Sequence, residues 1–201
     1  MRQFIIDALK GRTTPDFSLA DLAARGRMDL ICETVANALF ISNGIRKDTR
    51  IHIALSGPRD PPKLLTFDGA TLRGVDTDTP SIARIILKSL GPRLKLNEHQ
   101  DILPGVTVTK KAFEPLVKEA AQTTQLFYLH PDGKDIRTVT FTTNVTFVLG
   151  DFIGLPRNTE KLLDRLGAQK VTLGPRLLYT AHCPIIVHNE LDRREDRPQG
   201  L

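Results

Sequence analysis

The sequence predicts an α/β fold with a mostly parallel sheet flanked by helices. Short apolar runs typical of buried strands alternate with longer segments in which apolar residues recur at helical spacing. Glycine and proline residues follow most of these segments, at positions where turns are expected. With 201 residues, the chain is long enough for one large domain, or for one domain with a smaller lobe.

The N-terminal half contains two predicted strands, at residues 3–6 and 51–55, separated by a helical segment. This segment, residues 17–42, has its clearest helical spacing in its second half, where apolar side chains repeat along one face. A hairpin is predicted around residues 67–69, which read Phe-Asp-Gly. A second helix is predicted at residues 82–90, after a Thr-Pro-Ser start in which proline is tolerated.

The C-terminal half continues the alternation. Strands are predicted at 106–108, 126–129, 145–150 and 170–173, and helices at 110–121, 158–168 and 176–190. Strands that alternate with helices in this way form parallel pairs, because each helix serves as the crossover between two strands. The last residues, 192–201, are polar and are predicted to be frayed.

The composition is typical of a soluble protein. A net charge of +5 is a mild basic excess, which favours a polyanionic partner without establishing one. No segment approaches the roughly 18 apolar residues of a membrane span, and the N-terminus does not resemble a signal peptide. Cys32 and Cys183 lie far apart, which indicates a reducing cytoplasm. His182, Cys183 and His188 have no second ligand pair nearby in the sequence, so a metal site is disfavoured.

Three glycine-bearing loops follow predicted strands, at residues 130–133, 150–154 and 174–175. Because the carboxyl ends of parallel strands meet at one edge of a sheet, we expect these loops to lie near one another, where ligands bind in such folds. Two interpretations stay open: ordinary turns, or a pocket in which backbone lies against a small ligand. The sequence has no GxGxxG after a strand and no GxxxxGK[ST], which disfavours a Rossmann site and a P-loop.

Charged residues outside these loops also have two interpretations. Arg25, Arg27 and Arg46 belong to a basic N-terminal third, and they either face solvent or contact the phosphates of a nucleic acid. Asp78 precedes a predicted helix. It either caps that helix or accepts a hydrogen bond or a proton from a substrate base.

Three segments carry a resemblance to a known family: FVLGDFIGLP at 147–156, VTLGPRLLYTAHCPIIVHNELDRR at 171–194 and RMDLICETVANALFISNGIRKDTRIHIALSG at 27–57. Together they resemble the archaeal tRNA (pseudouridine-54-N1)-methyltransferases, which belong to the SPOUT class of S-adenosylmethionine-dependent enzymes. The resemblance spans nearly the whole chain. It implies a single domain at 1–201, a deep trefoil knot within about 125–201 in the cofactor-binding part, and a homodimer.

The resemblance also implies a site. It assigns the cofactor S-adenosylmethionine to Leu129, Gly150, Leu173, Gly174, Pro175, Arg176, Leu177, Leu178 and Cys183. Gly150 is expected to end its strand without a side chain so that the cofactor can lie against the backbone. The implied reaction is methyl transfer to N1 of pseudouridine in tRNA. Asp78 is the candidate group near the base, and Arg25, Arg27 and Arg46 are the candidate RNA contacts.

Two alternative functions remain open. A related SPOUT enzyme methylates a pseudouridine of small-subunit ribosomal RNA, and a non-catalytic RNA-binding protein could keep the same knot and dimer. Residues 77–81 read Thr-Asp-Thr-Pro-Ser, whereas the family tends to read Pro-Asp-Glu-Arg-Ser there. The resemblance therefore implies the cofactor more specifically than the target nucleotide.

Overall fold

The computed structural model describes residues 1–195. In this part of the chain the strands are β1 (Arg2–Ala8), β2 (Phe40–Ile41), β3 (Gly44–Ile45), β4 (Thr49–Leu55), β5 (Lys63–Asp68), β6 (His99–Leu103), β7 (Val106–Thr109), β8 (Gln125–Asp135), β9 (Val145–Gly150) and β10 (Gln169–Thr172). The helices are α1 (Met28–Leu39), α2 (Thr79–Leu90), α3 (Phe113–Thr123), α4 (Arg157–Arg165) and α5 (Cys183–Glu195).

Eight of these strands form one sheet, in the order β10-β8-β9-β1-β4-β5-β7-β6. The strands from β10 to β4 are parallel, and the remaining pairs are antiparallel. This confirms the predicted α/β fold with a mainly parallel sheet. The parallel strands end along one edge, at Ala8, Leu55 and Gly150, which we call the carboxyl edge. They begin along the other, at Arg2 and Thr49, which we call the amino edge.

Helices cover both faces of the sheet. Phe4 and Ile6 of β1 point to the face covered by α1, α2 and α5, while Ile5 points to the face covered by α3 and α4. This alternation follows from the two-residue period of a strand. Both faces of β1 are therefore buried, which explains why the central parallel strands read as continuous apolar runs.

The helix predicted at 17–42 is wrong in its first half. The residues before α1 form an irregular loop with one 3-10 turn at Leu22–Ala24. Gly26 and Arg27 have φ angles of 76° and 56°. These left-handed conformations cannot be part of a right-handed helix, so α1 begins at Met28.

Two further predictions in this sheet are corrected. The hairpin expected at 67–69 lies elsewhere, because β4 and β5 pair through the loop at residues 56–62. The loop expected at 130–133 is the second part of the long strand β8, where the pairing with β10 shifts register. Strand β6 was not predicted, since its sequence is mostly polar and exposed.

The C-terminal helix differs from its prediction at both ends. It begins at Cys183 instead of residue 176, with Pro184 in the first turn, where a missing N–H costs little. It continues to Glu195, whereas fraying was predicted from residue 192, and residues 196–201 lie outside the described part. None of the helices within residues 1–195 is long and apolar enough to cross a membrane.

Candidate functional site

A cavity of about 540 Å³ opens at the carboxyl edge, beside the ends of β8, β9 and β10. This volume is in the range of small-molecule sites. Its wall includes all nine residues that the family resemblance assigns to the cofactor: Leu129, Gly150, Leu173, Gly174, Pro175, Arg176, Leu177, Leu178 and Cys183. The glycine-bearing segments at 130–133, 150–154 and 174–175 therefore meet at one site, as the order of strands and loops predicts.

Gly150 lies in the cavity wall, but its packing gives a different reason for the glycine from the one expected. A Cβ on Gly150 would stand 2.3 Å from the carbonyl carbon of Gly154 and 2.6 Å from the nitrogen of Leu155. Because Gly150 has no side chain, the loop can fold back on itself. The space of the missing side chain is filled by the backbone of Gly154 and Leu155 and is not open to a ligand. Asp151 holds the same turn, because its Oδ1 accepts a hydrogen bond from the Ile153 N–H at 2.8 Å.

The loop between β10 and α5 forms another side of the cavity. Gly174 has a φ of 147°, and no heavy atom lies within 4 Å of the position of a Cβ, so its backbone borders open space. The Thr180 hydroxyl donates to the Gly150 carbonyl at 2.8 Å and ties this loop to β9. Burial raises the pKa of the Cys183 thiol to about 12. The thiol is therefore protonated at neutral pH.

The wall also contains a polar pair that the sequence did not reveal. His130 Nε2 lies 3.6 Å from Glu160 Oε1. Glu160 belongs to the first turn of α4. Acidic residues are common in the first turn of a helix, where they stabilise the helix dipole, so its sequence position does not indicate a site. Gly133 brings β8 close to β10, since a Cβ there would lie 2.5 Å or less from backbone atoms of Val171.

A buried carboxylate lies next to this wall, at the end of β1. Asp7 is in register with Gly150 and is 3% exposed. Burial raises the pKa of Asp7 to about 6. A hydrogen bond from Thr159, at 3.4 Å, opposes this rise, and the nearby charge of Asp151 adds to it. This group could not be recognised in the sequence, where Asp7 is simply a polar residue near the end of an apolar strand.

Asp78 lies outside the cavity within one chain. It is the N-cap of α2, and its Oδ1 accepts a hydrogen bond from the Ser81 N–H at 2.9 Å. The other end of α2 lies at the carboxyl edge, where the Leu90 carbonyl accepts a hydrogen bond from Lys63 at the start of β5. The 12 residues of α2 rise by about 1.5 Å each, so Asp78 lies about 18 Å from Leu90, at the amino edge.

The three arginines predicted to contact RNA separate to the two edges of the sheet. Arg25 and Arg27 lie in the loop before α1 at the carboxyl edge, and each pairs with a nearby aspartate, at 2.8 and 3.0 Å. The Arg27 guanidinium lies 6.0 Å from the ring centre of Phe152, which lines the cavity. Arg46 lies at the amino edge, where two of its nitrogens donate to Asp192 at 3.1 and 2.7 Å.

The histidines and the cysteine near the C-terminus also separate. Cys183 faces the cavity. His188 is buried, with Nδ1 3.1 Å from an Arg2 nitrogen and Nε2 2.9 Å from the Ala38 carbonyl oxygen. Across residues 1–195, no group of three or more His, Cys, Asp or Glu side chains could hold a metal ion.

Comparison with known proteins places this chain in a family. The chain matches, over residues 1–196, the model of a family described as "Putative SAM-dependent RNA methyltransferase". It is 38% identical over 195 residues to a tRNA (pseudouridine(54)-N(1))-methyltransferase of Methanocella arvoryzae, covering 96% of this chain and 100% of that relative. A protein of the same name from Pyrococcus abyssi is 41% identical over 201 residues, with coverage of 96% and 98%.

The fold is also similar to a solved structure, Archaeoglobus fulgidus Nep1 bound to S-adenosylhomocysteine. The TM-score is 0.58 at 10% sequence identity, and the match covers 98% of both chains. At this identity the likeness concerns the fold alone. The family resemblance carried by the three sequence segments is thus confirmed by the family model and by the relatives. This chain belongs to the family of SAM-dependent RNA methyltransferases that the model describes.

Proposed function

We propose that this chain is an S-adenosylmethionine-dependent methyltransferase that methylates N1 of pseudouridine at position 54 of tRNA. The observation that carries the proposal is the meeting of the three glycine-bearing segments, at 130–133, 150–154 and 174–175, at one cavity. The same chain is 38% and 41% identical, over 96% of its length, to proteins named for this reaction.

The cavity suits this cofactor. A volume of about 540 Å³ accommodates a nucleoside with an amino-acid tail. Leu129 and Leu173 offer apolar surface to the adenine, and the bare backbone at Gly174 borders open space where the cofactor can approach closely. Arg176 and Glu160 supply both signs of charge for its carboxylate, ammonium and hydroxyl groups. When bound, S-adenosylmethionine supplies a methyl group activated by a positively charged sulfur.

The residues of this chain have to position the base and help its proton leave, because N1 of pseudouridine becomes a nucleophile when it loses its proton. Asp78, at the amino edge, cannot reach the cavity of its own chain, so a contribution from Asp78 requires the second chain of a dimer. Arg25 and Arg27, beside the cavity, suit phosphate contacts. Arg46 suits a structural role, because its side chain is less exposed than those of Arg25 and Arg27 and two of its nitrogens donate to Asp192.

A homodimer is part of the same proposal. Exposed apolar side chains gather around the mouth of the cavity and the start of α5: Phe152, Ile153, Leu177, Leu178, Tyr179, Ile185 and Ile186. Contiguous exposed apolar surface of this kind marks an interaction site. We expect Ile185→Glu to convert a dimer into a monomer in size-exclusion chromatography with light scattering. A wild-type monomer would contradict the proposal.

We also propose the knot, within about 125–201, and a single domain. Residues 136–141 lie against α5. Arg194 of that helix donates to the Val139 carbonyl at 2.6 Å and to the Ile136 carbonyl at 3.0 Å, and its guanidinium lies 4.5 Å from the ring centre of Phe141. An earlier segment that holds the C-terminal helix in this way supports a threaded chain. Both cysteines are free and buried, which supports a reducing cytoplasm.

Methyl transfer to defined RNAs tests the proposed function. The protein is incubated with labelled S-adenosylmethionine and a tRNA carrying pseudouridine at position 54, and the nucleosides are identified by mass spectrometry. The matched control is the same tRNA with uridine at that position, in which N1 bonds to the ribose and cannot accept a methyl group. A pseudouridine-containing helix of ribosomal RNA is tested in parallel.

The proposal expects N1-methylpseudouridine in the modified tRNA and no label in the uridine control. Label in the ribosomal helix alone would replace tRNA with ribosomal RNA as the substrate. An absence of label in every RNA, with S-adenosylmethionine binding retained, would favour the RNA-binding protein without catalysis.

A further inference from the structure

Two loops dock on each other at the carboxyl edge, next to the cavity. They follow β1 and β4, and the buried side chain of Thr13 joins them. Its hydroxyl donates to the Pro58 carbonyl at 2.7 Å and accepts from the Asp60 N–H at 3.0 Å, while the Gly57 N–H donates to the Gly11 carbonyl at 3.0 Å. These bonds give the surface a fixed shape.

Two arginines on this surface share one carboxylate. A nitrogen of Arg12 lies 3.8 Å from Asp16 Oδ2, and a nitrogen of Arg59 lies 3.2 Å from the same oxygen. The exposed Lys10 belongs to the same β1 loop. Asp60, the other carboxylate of the β4 loop, is already paired with Lys63 and Lys110. Because Arg12 and Arg59 share one carboxylate, this surface keeps a positive excess after its internal pairing.

The donors of these two arginines are also available. Asp16 Oδ2 is buried and accepts no hydrogen bond within residues 1–195. In the same range neither the Arg12 nor the Arg59 guanidinium donates a hydrogen bond, although both lie close to that oxygen. By contrast, Arg25 and Arg27 donate to carboxylates of their own.

The backbone at Arg59 supports the same conclusion. Arg59 has a φ of 90°, a left-handed conformation that is strained for a residue with a side chain, and this side chain is 64% exposed. Strain of this kind is frequent at binding sites, where surrounding structure holds a residue in place. Here the hydrogen bonds of the Thr13 hydroxyl to Pro58 and Asp60 hold the loop that presents Arg59 to solvent.

We propose that Arg12 and Arg59 form a binding site for the sugar-phosphate backbone of the tRNA, beside the nucleotide that enters the cavity. The planar guanidinium presents paired donors that match phosphate oxygens. The site adjoins the cavity, because the Lys10 N–H lies 3.4 Å from Oδ2 of Asp151 in the cavity wall. This inference rests on the proposed function for its partner, a tRNA.

Salt dependence of tRNA binding tests the site. Each phosphate contact contributes about 0.7–0.9 to the slope of log affinity against log salt concentration. We expect Arg59→Ala to weaken binding several-fold at low salt and to lower this slope by about one. Arg59→Lys should retain most of the slope but only part of the affinity, since lysine keeps the charge without the paired donors. Fluorescence anisotropy with labelled tRNA measures both.

The matched control is Arg165→Ala. Arg165 is exposed and ends α4, on the outer helical layer at the amino edge, and its removal changes the charge equally. Its slope should equal that of the wild type. Calorimetry with S-adenosylmethionine checks that both variants remain folded, because neither residue lines the cavity.

The outcomes separate the two proposals. Equal slopes for Arg59→Ala and Arg165→Ala, in a protein that methylates tRNA, would overturn the phosphate site and leave the function intact. If Arg59→Ala lowers the slope and the wild-type protein transfers no methyl group, the phosphate site would be retained and the proposed reaction overturned.

Discussion

The carboxyl and amino edges of the sheet both carry arginine–aspartate pairs, but the pairs differ in burial. At the carboxyl edge the Arg25 side chain is 40% exposed and pairs with a single carboxylate. At the amino edge Arg2 is 3% exposed. Its carboxylate partners, at 2.5–3.1 Å, are Asp48, Asp192 and Glu195.

This difference indicates that burial decides whether an ion pair can exchange its partner or holds two elements together. Exposed charges interact weakly through water and can exchange one partner for another, so the carboxyl edge suits a transient anionic partner. Buried charges have no water to replace a lost partner. The network around Arg2 therefore fixes α5 to β1, and α5 begins at Cys183 in the cavity wall. The amino edge thus positions one wall of the site at the opposite edge.

Removal of Asp192 should have the largest effect on stability. Its carboxylate accepts hydrogen bonds from both Arg2 and Arg46. Asp192→Ala removes one of the three carboxylate partners of the buried Arg2 together with the partner of Arg46, so we expect a loss of unfolding free energy below the about 3–5 kcal/mol of a fully uncompensated buried charge. Urea denaturation followed by circular dichroism measures the loss.

Its matched control is Arg25→Ala, which breaks the exposed pair with Asp21 and keeps the hydrogen bonds that Asp21 accepts from Ser18. We expect an unchanged denaturation midpoint for this variant. If both substitutions shift the midpoint equally, burial does not distinguish the two edges.

His188 at the amino edge should make the protein sensitive to acid. Burial lowers the pKa of His188 to about 4, aided by the charge of Arg46, so the folded state binds its proton less readily than the unfolded state. The stability it contributes is complete above about pH 6.5 and is lost as the pH falls towards about 4, by at most about 3 kcal/mol. His188→Gln, which keeps a donor and an acceptor, should remove this part of the acid sensitivity and leave the part due to His52, whose pKa burial lowers to about 3. Urea titrations across the pH range measure it.

Asp7 at the carboxyl edge should have the opposite pH dependence. Its folded pKa of about 6 lies above the usual value of an aspartate, so the folded state binds the proton more readily. Stability therefore falls as the pH rises from about 4 to about 6, by at most about 3 kcal/mol.

Asp7→Asn should be more stable than the wild type at neutral pH and equal to it below about pH 4. In the wild type the trends of Asp7 and His188 offset each other in part, so each single variant shows the pH dependence of the other group more clearly. A pH profile that neither substitution changes would show that neither group contributes in this range.

Much of the site could be predicted from the sequence, because strand order alone decides where loops meet. The segments 150–154 and 174–175 follow β9 and β10, whereas 130–133 lies within the second part of β8, and all three reach the cavity at the edge where the parallel strands end. The reason for Gly150 could not be predicted, because its close neighbours Gly154 and Leu155 reach it only when the loop folds back.

The separate roles of the arginines could not be predicted either. Arg46 lies near Arg25 and Arg27 in the sequence, yet its partner Asp192 is 146 residues away. The helical spacing at 17–42 also misled, since the left-handed backbone at residues 26–27 is a local conformation that apolar periodicity does not report.

The smallest predicted effect compares the two buried cysteines. Burial raises the pKa of both Cys32 and Cys183 to about 12, so neither thiol is a reactive thiolate. Cys183 Sγ faces the cavity and contacts the Tyr179 carbonyl at 3.5 Å, a contact that a serine hydroxyl can replace. Cys183→Ser should therefore weaken S-adenosylmethionine binding a few-fold in calorimetry and reduce methyl transfer without abolishing it. Cys32 belongs to α1 and lies in the hydrophobic core. Cys32→Ser buries a hydroxyl there, so it should lower the denaturation midpoint and leave cofactor affinity unchanged. Complete loss of transfer in Cys183→Ser, with cofactor binding intact, would instead make this thiol part of the chemistry.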